Sequence, residues 1–284
     1  MKLYNTSNGI LLENDGSFFL MDDTWDELVN RDHLHGYISA KAKTVETLSP
    51  DEAKLVLDFL LPPIGHQEVW AAGVTYLKSR DARMEESQRS GAASLYDRVY
   101  DAERPELFFK ATFARVSGHG EHVYIRKDST WNVPEPELTL FINSNGNIQG
   151  YTCGNDMSSR SIEGENALYL PQAKIYEKSA ALGPCLYVTN APLNPGTAIR
   201  MNIKRDGRSV YEDSTTISRI KRSFTELAEY LYRECDFPSG CFLMTGTCLV
   251  PSPDFTLAED DMVEISIDAI GTLVNTIALN PKHK

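Results

Sequence analysis

The chain has 284 residues, 42% of them apolar, and a formal net charge of −12, which is enough material for one large core or a large domain with a small companion. That acidic balance leaves no basic surface to neutralise phosphates and excludes nucleic acid and anionic membrane as expected partners. No run approaches the roughly 18 apolar residues of a membrane span, and the first twenty residues, interrupted by Asn5, Asn8, Glu13, Asn14 and Asp15, lack the pattern of a secretory signal, so the expectation is a cytoplasmic protein acting on a small molecule.

Residues 1–22 read as short strands around Asn14-Asp15-Gly16, followed by a short helix near Thr24 to Asn30. Ser49 then stands as an N-cap, with Pro50 at the first helical position and Glu52 in the third, ahead of Leu55 and Leu57. That helix stops by Pro62-Pro63. A boundary at residue 65 therefore separates a small N-terminal domain, 1–65, from a catalytic domain, 66–284. The stretch 68–76 has the content of a buried strand. Residues 77–106 are charged and helix-prone, either a solvated surface helix or a lid over a site. After Pro105 come short β-rich runs at 107–111, 121–125, 137–143, 147–155, 185–189, 199–204, 208–213, 241–250, 262–268 and 272–279, and helical spacing returns at Ser223 to Cys235. The class is α+β and β-rich. Five scattered cysteines form no Cys-x-x-Cys pair and read as small buried thiols, and the histidine pairs 33/35 and 119/122 read as loop residues.

The stretch WNVPEPELTLFINSNGNIQGYTCGND, 131–156, carries the chemistry. Asn145-Gly146 is a strong hairpin signal, because both residues tolerate the positive φ of a type I′ turn. With those two as the loop, the numbers of opposed residues add to 291 and Asp156 faces Glu135. Opposed residues share a face with Cα atoms about 4.5–5.5 Å apart, and alternation puts Glu137 on the same face. Pro134 and Pro136 hold the preceding residues extended, while Leu138, Leu140 and Ile142 point toward a core. Gly150 and Gly154 on the acid-bearing face leave room for a ligand or mark a bulge. Clustered carboxylates repel unless a proton or cation sits among them, and hard oxygen ligands suit Mg²⁺ or Mn²⁺; the alternative is a set of solvated acids at the start of a surface strand.

Two further stretches are candidates. Gln172 and Lys174, two apart on what reads as an extended path, share a side, and a lysine near carboxylates and a metal can serve in proton transfer. Thr245-Gly246-Thr247 either grips a substrate carboxylate with hydroxyls and N–H groups or forms an ordinary turn.

Six ordered motifs, GVTYLKSRDAR (73–83), PELFFK (105–110), VPEPEL (133–138), GYTCGNDMSSR (150–160), LYLPQAKIY (168–176) and TGTCLVP (245–251), resemble the fumarylacetoacetate hydrolase family, and within it the branch of 2-keto-3-deoxy-D-arabinonate and D-xylonate dehydratases. The resemblance implies a mixed β-roll with an N-terminal appendage, assembled as a homo-oligomer, dimer or tetramer. By it Glu135, Glu137 and Asp156 hold Mg²⁺, with Mn²⁺ or Ca²⁺ as substitutes; Lys174 and Glu106 supply acid and base in either order; and Thr247, Thr75, Arg80 and Gln172 bind the keto acid substrate. Hydrolases of the family generally resemble Gly-x-Asn-Tyr-x-x-His-x-x-Glu at the first motif, where this chain has Thr75, Ser79 and Ala82. Loss of that water-activating pair favours dehydration, giving 2,5-dioxopentanoate. The alternatives are a C–C hydrolase or decarboxylase of acylpyruvate or oxaloacetate type, favoured if a histidine such as His66 or His119 reaches the lid, and a catalytically silent keto-acid binder.

Overall fold

Residues 1–76 and 98–282 are described in a computed structural model. In chain order the N-terminal elements are β1 (Lys2–Thr6), β2 (Gly9–Asn14), β3 (Ser17–Met21), α1 (Trp25–Val29), α2 (Leu34–Lys41), β4 (Thr47–Leu48) and α3 (Pro50–Leu57). Asp15 and Gly16, at φ 49° and 78°, form the left-handed pair that a two-residue hairpin demands. Ser49 Oγ accepts the Glu52 N–H at 3.3 Å and the Glu52 carboxylate accepts the Ser49 N–H at 2.9 Å, the reciprocal cap expected from the sequence. Helix α2 and strand β4 were not expected.

The remainder comprises β5 (Glu68–Gly73), β6 (Glu106–Thr112), β7 (Val116–Ser117), β8 (His122–Ile125), β9 (Asn132–Val133), β10 (Pro136–Ile142), β11 (Ile148–Asp156), β12 (Ser158–Ser159), α4 (Arg160–Glu165), α5 (Leu170–Lys174), β13 (Ala180–Tyr187), β14 (Ala198–Arg205), β15 (Arg208–Thr216), α6 (Phe224–Tyr232), β16 (Cys241–Met244), β17 (Met262–Ile267) and β18 (Gly271–Leu279). The run expected at 185–189 starts five residues earlier, and the one expected at 241–250 ends at Met244, beyond which the chain turns into a loop.

Among the described residues a mixed sheet of 11 strands runs β4-β3-β2-β1-β13-β11-β10-β16-β5-β6, with β7 beside β13, and a second sheet runs β15-β14-β17-β18-β8. Strand β10 lies inside the large sheet and is buried on both faces. Its Leu138, Leu140 and Ile142 pack toward the second sheet, with Met201, Ile265 and Leu273. Phe141 packs the opposite way, with Phe242, Leu182 and the N-terminal Leu3, Leu28 and Ile38. The first 65 residues therefore extend the large sheet through β1 on β13 and share its second core.

The β10–β11 hairpin pairs Pro136 with Asn155 and Glu137 with Gly154, the register expected from the sequence, by a route that differs in detail. Asn143 and Asn147 close a three-residue loop in which Gly146 alone has a positive φ, 80°, so the type I′ turn is corrected to a longer one. Beyond it Ile142 faces Ile148 while Phe141 faces Gly150, so Gln149 is an extra residue at a bulge. The longer loop shifts the pairing by one and the bulge shifts it back. Asp156 N–H donates to Glu135 C=O at 2.9 Å, which places the two acids opposite each other.

The glycines of this face do not open space for a ligand. A Cβ at Gly154 would meet Thr139 Oγ1 at 2.3 Å, and one at Gly150 would meet Leu186 Cδ1 and Tyr187 O, each at 2.9 Å. Neighbouring strands fill that room.

Candidate metal centre and its cleft

The three carboxylates stand where the N-terminal end of β10 meets the C-terminal end of β11. Glu135, Glu137 and Asp156 are all buried, and one oxygen of each lies within 4.8 Å of the others. They line a narrow cleft whose other walls include Gly73, Phe108, Arg160 and Thr247.

Three cations pair with two of these acids. Lys174 Nζ donates to Glu135 Oε2 at 2.7 Å and to Asp156 Oδ2 at 2.9 Å. Arg160 Nη2 donates to Glu135 Oε1 at 2.6 Å, and Lys110 Nζ lies 2.6 Å from Asp156 Oδ1. Glu137 is met instead by the Gly246 N–H, at 2.6 Å from its Oε2. Burial, and then the charges of Asp156 and Glu135, push the Glu137 carboxyl well above its ordinary range. Burial pulls the Lys110 ammonium below the usual lysine value, against the opposing pull of Asp156.

The loop after β16 is locked in place. Thr245 Oγ1 donates to Leu138 C=O at 2.8 Å, and Thr75 Oγ1 donates to Thr245 C=O at 2.7 Å. Gly246 has φ 95°, and a Cβ there would lie 2.0 Å from Thr75 Oγ1, so both conformation and space require glycine. Thr75 thus braces the loop, while Thr247 lines the cleft and accepts the Leu249 N–H on its own hydroxyl at 3.2 Å.

Among the other residues singled out in the sequence, Glu106 shares a face of β6 with the cleft-lining Phe108, and a Cβ on the opposed Gly73 would lie 2.0 Å from its Oε2. Its carboxylate therefore rests against the cleft edge at Gly73. Gln172 is corrected: Leu170–Lys174 is helical, with a proline in the first turn, so residues two apart diverge. Lys174 is fully buried among the acids, and Gln172 is exposed. Arg80, Ser79, Ala82 and most of the 77–106 segment lie outside the described residues. His66 pairs with Asp26 at 2.5 Å, and His119 Nδ1 meets Thr272 C=O at 2.9 Å, so neither joins the cleft. Four of the five cysteines are buried free thiols and Cys235 is exposed.

Lys110 and Arg160 were missed from the sequence. Lys110 had a signal, a single cation in the apolar run LFFKATF, and Arg160 stands four residues beyond Asp156. The donor set itself fits a hard divalent ion: three buried carboxylates with oxygens converging on one point, no sulfur or imidazole, and a cleft beside them.

Comparison with known proteins agrees with this geometry. The profile of the fumarylacetoacetate (FAA) hydrolase C-terminal family matches residues 69–278. The chain is 48% identical over 216 residues to a probable 2-keto-3-deoxyxylonate dehydratase of Haloferax volcanii, covering 76% of this chain and 73% of that one. It is 43% identical over 217 residues to a 2-dehydro-3-deoxy-D-arabinonate dehydratase of Saccharolobus solfataricus, with coverage of 76% and 73%. A solved structure of a 2-keto-3-deoxy-D-arabinonate dehydratase with magnesium and 2,5-dioxopentanoate superposes with a TM-score of 0.83 at 33% identity, over 99% of each chain.

Proposed function

The chain belongs to the fumarylacetoacetate hydrolase C-terminal family, and on that premise we propose that it is a Mg²⁺-dependent hydro-lyase that converts a 2-keto-3-deoxy-pentonate of the D-arabinonate or D-xylonate type to 2,5-dioxopentanoate. The observation that carries the reading is the buried triad Glu135, Glu137 and Asp156, with oxygens within 4.8 Å, in a chain 48% and 43% identical to dehydratases of such acids.

Glu135, Glu137 and Asp156 would hold the ion. When bound, Mg²⁺ supplies a Lewis acid next to the oxygens of the keto acid. The protein supplies the proton movements. A base removes a C3 proton, the C4–O bond breaks, and the hydroxyl leaves as water with a proton from an acid. Transfer of a C5 proton to C3, followed by tautomerisation of the resulting enol, gives the C5 aldehyde, so the net change is loss of one water. Lys174, whose Nζ bridges Glu135 and Asp156, and Glu106, at the cleft edge against Gly73, take the acid and base roles in either order. Thr247 and the loop that Thr75 braces face the substrate carboxylate, with Arg80 as a further binding residue. Gln172, exposed on α5, is left without a role. With His66 and His119 engaged elsewhere, dehydration is favoured over C–C hydrolysis.

We take residues 1–65 as an N-terminal unit docked on a catalytic unit, 66–284. The assembly is read as a homo-oligomer, a dimer or tetramer, supported by the exposed apolar side chains of Leu55, Phe59 and Leu61. Among the described residues no helix is long and apolar enough to cross a membrane, consistent with a cytoplasmic site of action. The purified protein, given 2-keto-3-deoxy-D-arabinonate or D-xylonate and Mg²⁺, is expected to form an aldehyde. Cleavage of acylpyruvates with no aldehyde from either sugar acid would overturn the assignment.

A further inference from the structure

We propose that Lys110 is the positioning residue of this centre, fixing the ligand Asp156 and the main chain of Lys174 in a single grip; the inference rests on the metal reading above. Lys110 is fully buried, and its side chain runs from β6 to two other elements. Its Nζ lies 2.6 Å from Asp156 Oδ1, donates to Met157 C=O at 2.9 Å and donates to Lys174 C=O. Two of its N–H bonds go to those carbonyls and its charge lies against the Asp156 carboxylate, so the group is engaged on three sides and acts through its neighbours.

The contacts close a ring. Asp156 has Oδ1 on Lys110 and Oδ2 on Lys174, and the carbonyl of Lys174 returns to Lys110. Rotation of the Asp156 carboxylate would break two charged contacts at once. The Lys174 carbonyl belongs to the last residue of α5, where helical carbonyls lack partners within the helix, and its anchoring decides where the Lys174 ammonium can reach.

The backbone is adapted to this task. Strand β6 pairs Ala111 with Val69 but Phe109 with Trp70, so Lys110 is an extra residue with no opposed partner. A bulge bends its strand locally, and here it falls at the residue that spans to β11 and α5. An ordinary apolar residue at a regular strand position would leave Asp156 Oδ1 and two carbonyls without this donor.

The test uses the full-length Lys110→Met variant, in which only the ammonium is lost from a side chain of similar length. At saturating Mg²⁺, kcat is expected to fall roughly ten- to a hundredfold, the scale of a 1 Å misplacement of catalytic groups, with KM changed less than threefold. The electron paramagnetic resonance spectrum of Mn²⁺ bound to the substrate-free protein is expected to change, because one ligand has been released. Loss of folded protein alone would leave kcat per folded molecule and the Mn²⁺ spectrum as in wild type, and that result would overturn the proposal. If Lys110→Met does not fold, Lys110→Arg is measured; it keeps the charge but spreads its N–H groups over three nitrogens, so an altered Mn²⁺ spectrum and a kcat at least fivefold lower are expected, and wild-type values for both overturn the proposal. Failure of wild type to bind Mn²⁺ would sink the metal reading instead, and the two failures are distinct.

Discussion

Replacing Lys174 by Met tests the electrostatics of the centre most directly. Methionine matches the length of the lysine stem and suits a helix, so the main change is removal of a fully buried ammonium that sits 2.7 Å from Glu135 and 2.9 Å from Asp156. With Lys110, Arg160 and Lys174 facing Glu135, Glu137 and Asp156, the cluster is balanced when all are charged, and the substitution leaves it one negative charge in excess. Breaking a buried ion pair from one side costs about 3–5 kcal/mol, and protonation of Glu137, whose carboxyl is already pushed up by burial and its neighbours, draws the cost toward the lower end. At roughly 2–4 °C per kcal/mol for a chain of this size, the melting temperature in EDTA is expected to drop by about 6–15 °C. Saturating Mg²⁺ is expected to recover part of that loss and to stabilise the variant more than wild type, since the ion no longer enters beside an ammonium; an ion at a hundred times its Kd contributes about 2.7 kcal/mol. Differential scanning calorimetry with and without Mg²⁺ measures both. A melting temperature in EDTA within about 2 °C of wild type, or a larger Mg²⁺ effect on wild type than on the variant, would refute the reasoning.

Gly73→Ala places a Cβ 2.0 Å from Glu106 Oε2, and because that oxygen is the end of a flexible side chain the fold tolerates it while Glu106 moves; activity is expected to fall at least tenfold with a melting temperature nearly unchanged, and equal activity would detach Glu106 from catalysis. The Asp32 carboxyl is held below its ordinary 3.8 by the amides of Asn143, Asn147 and Asn145, so its stabilisation is present above 3.8 and is lost as pH falls through the lower folded value; thermal scans of Asp32→Asn should show a deficit against wild type at neutral pH that disappears in strong acid. EDTA is expected to abolish turnover, with Mg²⁺ or Mn²⁺ restoring it. Pyruvate, as a short keto-acid probe, should give a calorimetric signal only after the metal is added.

The hairpin register was legible because Asn145-Gly146 marks the turn and the following alternation marks the faces. Its loop length was not, and the placement of the acids survived because Gln149 adds back the residue that the longer loop removes. The capping box at Ser49 and Glu52 involves residues three apart and is fully local, so it could be read directly. Gln172 was misplaced because its segment was read as extended, whereas Pro171 stands in the first turn of a helix, where proline loses no hydrogen bond. Lys110 stood out as a single cation in an apolar run, but what it and Arg160 would meet lay beyond sequence reasoning of this kind. Their partners stand 46 and 25 positions away, on elements whose juxtaposition only the assembled sheet decides.

The arrangement of charges also bears on the order of binding. Three carboxylates packed within 4.8 Å and shielded from water would strain any fold, and the chain relieves this by placing cations on both oxygens of Glu135 and both of Asp156. Among the described residues Glu137 receives only the Gly246 N–H, and burial together with the charges of Asp156 and Glu135 raises its carboxyl above the ordinary range. Two of the ligands are thus held in place before an ion arrives, and the third awaits its charge. Addition of a divalent cation to a cluster already near balance makes the cleft positive, and an anionic keto acid is then drawn to a site that offered it little beforehand. A binding sequence in which metal precedes substrate follows from the four contacts that Lys110, Arg160 and Lys174 make with the acids, without any movement of the fold.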